Sequence, residues 1–189
     1  MKKALLLGDS IRMGYDDMVR DLLAGRAEVL YDPQDNGRFA AYTLWQANQL
    51  LRAHGPVDVV YWDMNIESPM REPIHPIPEY QHFLRRILGL CRSCGAQVIF
   101  ATTLPVPRAG GAQDNTDTGA ALRYQNEWVE AYNAAALEVM RAENVPVNDL
   151  CALCLEAPGL YKCADGLHLT EEGYRACARQ VASCIERYL

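Results

Sequence analysis

Short apolar runs alternate with longer amphipathic segments along the whole chain. Five apolar runs have the length and composition of buried strands: 3–7, 27–31, 57–62, 97–102 and a brief one at 145–147. Helical periodicity fills most of the remaining sequence, at 11–23, at 40–53, in a segment ending near 92, at 120–143 and at 170–188. The polar stretch 108–119 is predicted to be a long loop. This alternation predicts an α/β fold with a parallel sheet covered by helices on both faces.

Polar residues follow the predicted strands at the edge where parallel α/β sheets bind their ligands. Ser10 follows the first strand, Gly37 the second and Asn65 the third. Asp165 and His168 lie in the connection after the fifth. We therefore expect these side chains to converge on one site at the carboxyl edge of the sheet.

Ser10, His168 and Asp165 are the candidate catalytic residues. The apolar run 3–7 leads into Gly8-Asp9-Ser10, a tight turn that would present a serine at the start of a helix. Asp165 precedes His168 by three residues and could orient its imidazole. A nucleophile, a base and an orienting acid are the requirements for acyl transfer through a serine ester. The structural alternatives are that Ser10 only caps a helix and that His168 is a surface residue.

Three groups are candidates for stabilising the oxyanion of such a reaction. The Ser10 backbone N–H lies near the positive end of the predicted helix, and a glycine at position 37 allows close approach to a second backbone N–H. The Asn65 side chain would supply a neutral third donor. Candidate substrate contacts beside these groups are Arg12, Asn36, Arg38 and Asp63. The two arginines could instead pair with Asp35 or Asp63.

At this point the chain resembles the GDSL, or SGNH, hydrolase family. Gly8-Asp9-Ser10-Ile11 resembles the first marker block, Asn36-Gly37 the glycine block, Asn65 the asparagine block, and Asp165-Gly166-Leu167-His168 the last. The resemblance implies a flavodoxin-like three-layer α/β/α sandwich with five parallel strands in the order 2-1-3-4-5. It also implies the triad and oxyanion roles given above. The third block departs from the usual Gly-x-Asn-Asp, because this chain reads Asp63-Met64-Asn65-Ile66.

Length and charge restrict the organisation and the partners of the protein. A chain of 189 residues without internal repeats predicts one domain, 1–189. The net charge of −6 argues against nucleic acid and anionic membranes as partners. No segment resembles a signal peptide or a membrane span, so we expect a cytoplasmic protein. A homo-oligomer is compatible with the pattern, because helix faces buried in a core and at a dimer interface look alike in sequence.

The seven cysteines are predicted to be structural. The pairs Cys91/Cys94 and Cys151/Cys154 have zinc-like spacing, but they lie in apolar helical contexts without the turn residues of zinc knuckles. A flavodoxin-like cofactor binder is a further alternative. It is disfavoured because Asp9 places a carboxylate where a phosphate would bind. We therefore expect neither a metal nor an organic cofactor.

These observations predict a serine esterase that acts on a small-molecule or oligosaccharide ester. The loops near the site are rich in Pro, Asn, Asp, Arg and Gly and lack a long apolar stripe. A small acyl group, O-acetyl above all, on a carbohydrate or other polar alcohol is therefore the expected substrate. The alternatives are a longer-chain acyl esterase, thioesterase or lysophospholipase, and a non-catalytic ligand-binding module on the same fold.

Overall fold

The computed structural model describes residues 1–63, 73–106, 112–115, 120–123, 126–157, 162–163 and 167–189. Two of the predicted site residues, Asn65 and Asp165, lie outside the described residues.

A five-stranded parallel sheet forms the centre of the structure. The strands of the chain are β1 Lys2–Leu7, β2 Ala27–Leu30, β3 Val59–Asp63, β4 Gln97–Ala101, β5 Ala112–Asn115, β6 Ala120–Arg123 and β7 Val147–Asn148. The large sheet has the order β2-β1-β3-β4-β7, and each neighbouring pair is parallel. With β7 as its fifth strand, this is the predicted order 2-1-3-4-5.

Helices cover both faces of this sheet. The helices are α1 Ser10–Leu22, α2 Ala40–His54, α3 Ile77–Ser93, α4 Asn126–Ala142, α5 Leu150–Glu156 and α6 Glu171–Glu186. Successive side chains of a strand point to opposite faces, so each strand contributes to two apolar cores. One core contains Leu5 and Trp62 with α2, α3 and α4. The other contains Leu6 and Tyr61 with α1, α5 and α6. This is the predicted three-layer α/β/α sandwich.

The prediction was wrong around residue 120. Ala120–Arg123 forms a strand that pairs antiparallel with Ala112–Asn115, and α4 begins only at Asn126. The expected loop and the first turn of the expected helix are therefore partly a hairpin. The short helix α5 was not predicted, and β7 begins two residues later and ends one residue later than expected. None of the described helices is both long and apolar enough to cross a membrane.

Candidate active site

The turn after β1 presents Ser10 at the start of α1. Gly8 has φ of 155°, and a Cβ there would lie 2.7 Å from the Asp63 carbonyl oxygen, so only glycine fits between β1 and β3. Asp9 caps the helix, because its Oδ1 accepts a 2.7 Å hydrogen bond from the Ile11 N–H. Ser10 is then the first helical residue, and its own N–H has no acceptor within the helix. The half-buried Ser10 hydroxyl and this N–H both lie at the positive end of α1.

The backbone of His168 and of the two residues after it is held by hydrogen bonds and by burial. The His168 carbonyl oxygen accepts a 2.9 Å hydrogen bond from the Cys163 N–H, and Leu169 forms a β-bridge with Lys162. Leu169 is buried in the core beneath α1 and α6. Thr170 then caps α6, since its Oγ1 accepts from the Gly173 N–H at 3.1 Å. These contacts fix the backbone that carries the imidazole.

The structure brings Ser10 and His168 together. The His168 Nε2 atom lies 3.1 Å from Ser10 Oγ, although the two residues are 158 positions apart in the sequence. With the proton on Nδ1, the imidazole accepts a hydrogen bond from the serine hydroxyl through Nε2. This is the contact that a general base needs in order to remove the proton of a nucleophile.

The helices that carry or follow these two residues, α1 and α6, pack closely against each other. A Cβ at Gly14 would lie 2.1 Å from the Tyr174 ring, so the absence of a side chain lets the aromatic ring rest on α1. Gly14 lies one turn after Ser10, and Tyr174 lies in the first turn of α6 after His168. Sequence reasoning missed this pair. Gly14 within an amphipathic helical pattern was the signal that could have found it.

Gly37 contacts the nucleophile turn, Gly8-Asp9-Ser10, and its backbone N–H is already hydrogen-bonded there. The Gly37 N–H donates a 2.8 Å hydrogen bond to the Gly8 carbonyl, and a Cβ at Gly37 would lie 2.6 Å from that oxygen. Donation to an oxyanion would require this amide to leave the Gly8 carbonyl. The observed geometry therefore gives Gly37 a buttressing role, in place of the predicted oxyanion contact.

Arg12 is buried, which corrects its prediction as a substrate contact. Its guanidinium donates to Asp16 Oδ2 at 2.6 Å and to the backbone carbonyls of Asp32 and Asp35 at 3.0 and 2.7 Å. Arg12 is 1% exposed. The side chain therefore ties α1 to the loop after β2, the same loop that carries Gly37.

Asp63 is also buried, at the end of β3, and this corrects its prediction as a substrate contact. The Tyr15 hydroxyl donates a 2.8 Å hydrogen bond to Asp63 Oδ2. Burial raises the pKa of Asp63 to about 6, against the lowering effects of the Tyr15 hydrogen bond and of Arg12. Burial, with a smaller contribution from Asp63, raises the pKa of Asp9 to about 8. Asp9, within the turn that presents Ser10, and Asp63, beside that turn, therefore retain protons to higher pH than exposed carboxyls.

Asn36 and Arg38 lie at the surface beside Gly37. Asn36 Oδ1 accepts a 2.9 Å hydrogen bond from the Arg38 N–H, which closes a turn. Arg38 has a left-handed backbone with φ of 46°, and its side chain is exposed. Of the four predicted substrate contacts, these are the two whose side chains are not buried, and their contact with a substrate stays a prediction.

The cysteines lie mostly within the two cores. Cys91, Cys154, Cys177 and Cys184 are buried, and burial raises the pKa of the Cys91 thiol to about 12. Within the ranges that the structure describes, no group of three or more His, Cys, Asp or Glu side chains is placed to hold a metal ion.

Comparison with known proteins identifies the family. Residues 6–176 match the model of the GDSL-like Lipase/Acylhydrolase family. A comparison with curated proteins finds no match.

Solved structures of similar fold cover nearly the whole chain. A lipase/acylhydrolase from Enterococcus faecalis is 21% identical with a TM-score of 0.77, covering 99% of this chain and 96% of its own. An acetyl xylan esterase is 17% identical with a TM-score of 0.73, covering 97% and 99%. A carbohydrate acetylesterase from Sinorhizobium meliloti is 14% identical with a TM-score of 0.72, covering all of both chains. Identities this low show the shared fold alone, whereas the family model matches most of the sequence. The chain belongs to the GDSL-like lipase/acylhydrolase family and is an ester hydrolase.

Proposed function

We propose that this protein is a serine esterase that removes small acyl groups, O-acetyl above all, from a carbohydrate or other polar alcohol. The observation that carries the proposal is the 3.1 Å contact between His168 Nε2 and Ser10 Oγ at the carboxyl edge of the sheet. A hydroxyl at the start of a helix, in contact with an imidazole, is the arrangement that activates a serine for attack on an ester.

The reaction proceeds in two steps. His168 takes the Ser10 proton while Ser10 Oγ attacks the ester carbonyl, and the same imidazole then protonates the leaving alcohol. A water molecule, deprotonated by His168, next attacks the acyl-enzyme and releases the carboxylic acid and free Ser10. Asp165, three residues before His168, orients the imidazole and stabilises its charged form.

The oxyanion is stabilised by donors at the start of α1. The Ser10 N–H lies on the residue that attacks, and it has no acceptor within its helix. The Asn65 side chain, two residues after β3, is the proposed second donor. Gly37 supports the Gly8 carbonyl, which keeps the turn that carries Ser10 in place.

Polar loops beside Ser10 support a polar alcohol as the substrate. Exposed Arg38 and half-buried Asn36 lie next to Gly37, which contacts the nucleophile turn. Two of the similar structures are named as an acetyl xylan esterase and a carbohydrate acetylesterase. The proposed substrate is therefore an acetylated sugar, and no metal or organic cofactor takes part in the proposed reaction.

The proposed location is the cytoplasm. All seven cysteines are free thiols, and four of them are buried in the core. Unpaired cysteines are typical of proteins from reducing compartments, because oxidising compartments favour disulfide formation.

Hydrolysis of p-nitrophenyl acetate and p-nitrophenyl octanoate by matched variants tests the function. We expect wild type to prefer the acetate, and Ser10→Ala to lose that turnover. Ser93→Ala is the control, because Ser93 lies on the surface near the end of α3, and it should retain wild-type activity. Octanoate preference would move the substrate to a lipid or thioester. Turnover that persists in Ser10→Ala would show that Ser10 is not the nucleophile.

A further inference from the structure

An aromatic surface begins where the loop between β2 and α2, which we call the active-site loop, passes into α2. We define the Arg38–Trp45 surface as Arg38, Tyr42 and Trp45. The Tyr42 and Trp45 rings lie three residues apart on one helix face, with their centroids separated by 5.7 Å. The Arg38 guanidinium carbon lies 5.7 Å from the Tyr42 ring centroid. Two flat rings and a cation therefore form one continuous patch.

Two groups of this surface, Arg38 and Trp45, are exposed, and Tyr42 is half-buried between them. Trp45 is 54% exposed, which is unusual for so large an apolar side chain. Within the described parts of the chain, no carboxylate or carbonyl oxygen accepts a hydrogen bond from the Arg38 guanidinium. The Tyr42 hydroxyl donates to Asp35 Oδ1 at 2.7 Å, so its ring is held in a fixed position.

The backbone of Arg38 adds a second indication of function. A non-glycine residue at φ of 46° is uncommon, and such conformations persist where surrounding contacts impose them, often at ligand sites. Asn36 imposes this one through its hydrogen bond to the Arg38 N–H. The turn thereby places an exposed arginine directly after Gly37.

The Arg38–Trp45 surface adjoins the carboxyl edge of the sheet, where Ser10 and His168 meet; we call this the catalytic edge. Gly37, the residue before Arg38, is hydrogen-bonded to Gly8 in the turn that presents Ser10. Because α2 begins at Ala40, Trp45 lies about 8 Å along the helix from its first residue. The surface therefore runs from the loop that contacts the turn before Ser10 along the first turns of α2.

A groove between α2 and α3 extends this surface. Its volume is about 490 Å³, within the range of small-molecule sites. Its lining combines apolar residues with hydrogen-bonding side chains: Ala41, Leu44, Asn48, Phe83, Arg86 and Leu90, together with Trp45. The mixture of flat apolar faces and polar donors matches a pyranose ring, which has apolar C–H faces and a rim of hydroxyl groups.

We propose that the Arg38–Trp45 surface and this groove bind the sugar rings that adjoin the acylated ring of the substrate. This inference rests on the proposed esterase function and extends it from an acetylated sugar to an acetylated oligosaccharide. A ring stacks on the exposed face of Trp45, Tyr42 supports Trp45 and Arg38 from beneath, and Arg38 donates to the hydroxyl or carboxylate oxygens of the substrate. The continuity with the catalytic edge favours a substrate chain over a protein partner.

Chain-length dependence on xylose, xylobiose and xylotetraose that each carry a single O-acetyl group on a terminal ring tests the inference, because the number of cleavable esters is then constant and the adjoining rings keep their free hydroxyls. We expect kcat/KM of wild type to rise roughly tenfold from the xylose ester to the longer esters, which is a difference of about 1.4 kcal/mol. Trp45→Ala should remove that rise. Arg38→Asn should reduce it, since asparagine tolerates the left-handed backbone and lacks the cation. Tyr188→Ala is the matched control, because Tyr188 is a 38% exposed aromatic residue near the carboxyl end of the chain.

Each outcome has a distinct meaning. A rise with chain length that Trp45→Ala removes and Tyr188→Ala preserves supports the inference. Equal kcat/KM for all three esters, or a rise that survives in Trp45→Ala, would overturn it. A Trp45→Ala variant that changes the oligomeric state and keeps the rise would identify the surface as an interface between copies, which also overturns it. Failure of the esterase proposal itself would give a different result: p-nitrophenyl acetate turnover would persist in Ser10→Ala.

Discussion

The Tyr15 hydroxyl donates a 2.8 Å hydrogen bond to Asp63 Oδ2 inside the protein, and Tyr15 and Asp63 are 0% and 3% exposed. This bond joins α1, which carries Ser10, to the end of β3, two residues before Asn65. Asp63 occupies the position at which the related family pattern usually has glycine. The bond therefore connects the altered third block to the helix of the nucleophile.

Removing the Tyr15 hydroxyl should destabilise the protein. Tyr15→Phe leaves one buried carboxyl oxygen without its donor, which we expect to lower the free energy of unfolding by about 1–3 kcal/mol. Urea denaturation measures the change. Tyr31→Phe is the matched control, because the Tyr31 hydroxyl donates to exposed Asp17 and its loss should have little effect. Equal stability of the two variants would contradict a structural role for the buried bond.

Stability should fall as the pH rises from about 4 to about 8. The pKa of Asp9 is raised to about 8, that of Asp16 to about 7 and that of Asp63 to about 6, in each case mainly by burial. The folded protein therefore binds more protons than the unfolded chain within this range. By linkage, these groups contribute stability that is fully present below their unfolded pKa and is lost as pH rises through the folded value.

Asp9→Asn tests the pH dependence. Asparagine can still accept the Ile11 N–H hydrogen bond but does not titrate. We expect a smaller loss of stability between pH 5 and pH 8 than in wild type, measured by urea denaturation at both values. An unchanged or steeper loss in Asp9→Asn would show that Asp9 does not bind the additional proton.

Gly37→Ala should impair both folding and catalysis. The new methyl group would lie 2.6 Å from the Gly8 carbonyl and must push the active-site loop away from the nucleophile turn. We expect a loss of about 1–3 kcal/mol in unfolding free energy and a lower kcat. Gly89→Ala is the control, because no atom lies within 4 Å of its new methyl group in α3. It should be stabilising by about 0.5–1 kcal/mol. A Gly37→Ala protein as stable and active as Gly89→Ala would contradict the observed contact.

Asp165→Asn should lower kcat far more than KM. An amide can hold the imidazole in the wrong tautomer and cannot stabilise its charged form, which costs about four orders of magnitude in the serine protease triad. Esterase assays on p-nitrophenyl acetate measure the loss, and Asp17→Asn, an exposed substitution in α1, is the control. Near-normal kcat in Asp165→Asn would mean that another group orients His168.

The sheet could be predicted because its central strands are continuous apolar runs. β1 and β3 are buried on both faces, and such strands carry no polar alternation that could be confused with a surface strand. The segment 120–123 was more difficult, because a short Ala- and Leu-rich sequence suits a helix as well as a hairpin strand.

The meeting of Ser10 and His168 could be predicted because both follow strands that end at one edge. The positions of Arg12 and Asp63 could not. A charged residue in a sequence motif is predicted to be exposed. Whether it is buried instead depends on partners from distant segments, such as the carbonyls of Asp32 and Asp35 that bind Arg12. The occupied amide of Gly37 likewise depends on the packing of two loops.

Covalent labelling of the nucleophile tests the central proposal most directly. The protein would be treated with an alkyl fluorophosphonate, which reacts with serines activated by a neighbouring base, and the modified residue located by peptide mass mapping. We predict one label on Ser10 in wild type and none at that position in His168→Ala. A label on another residue, or an unlabelled Ser10 in protein that hydrolyses p-nitrophenyl acetate, would contradict the proposed Ser10–His168 mechanism.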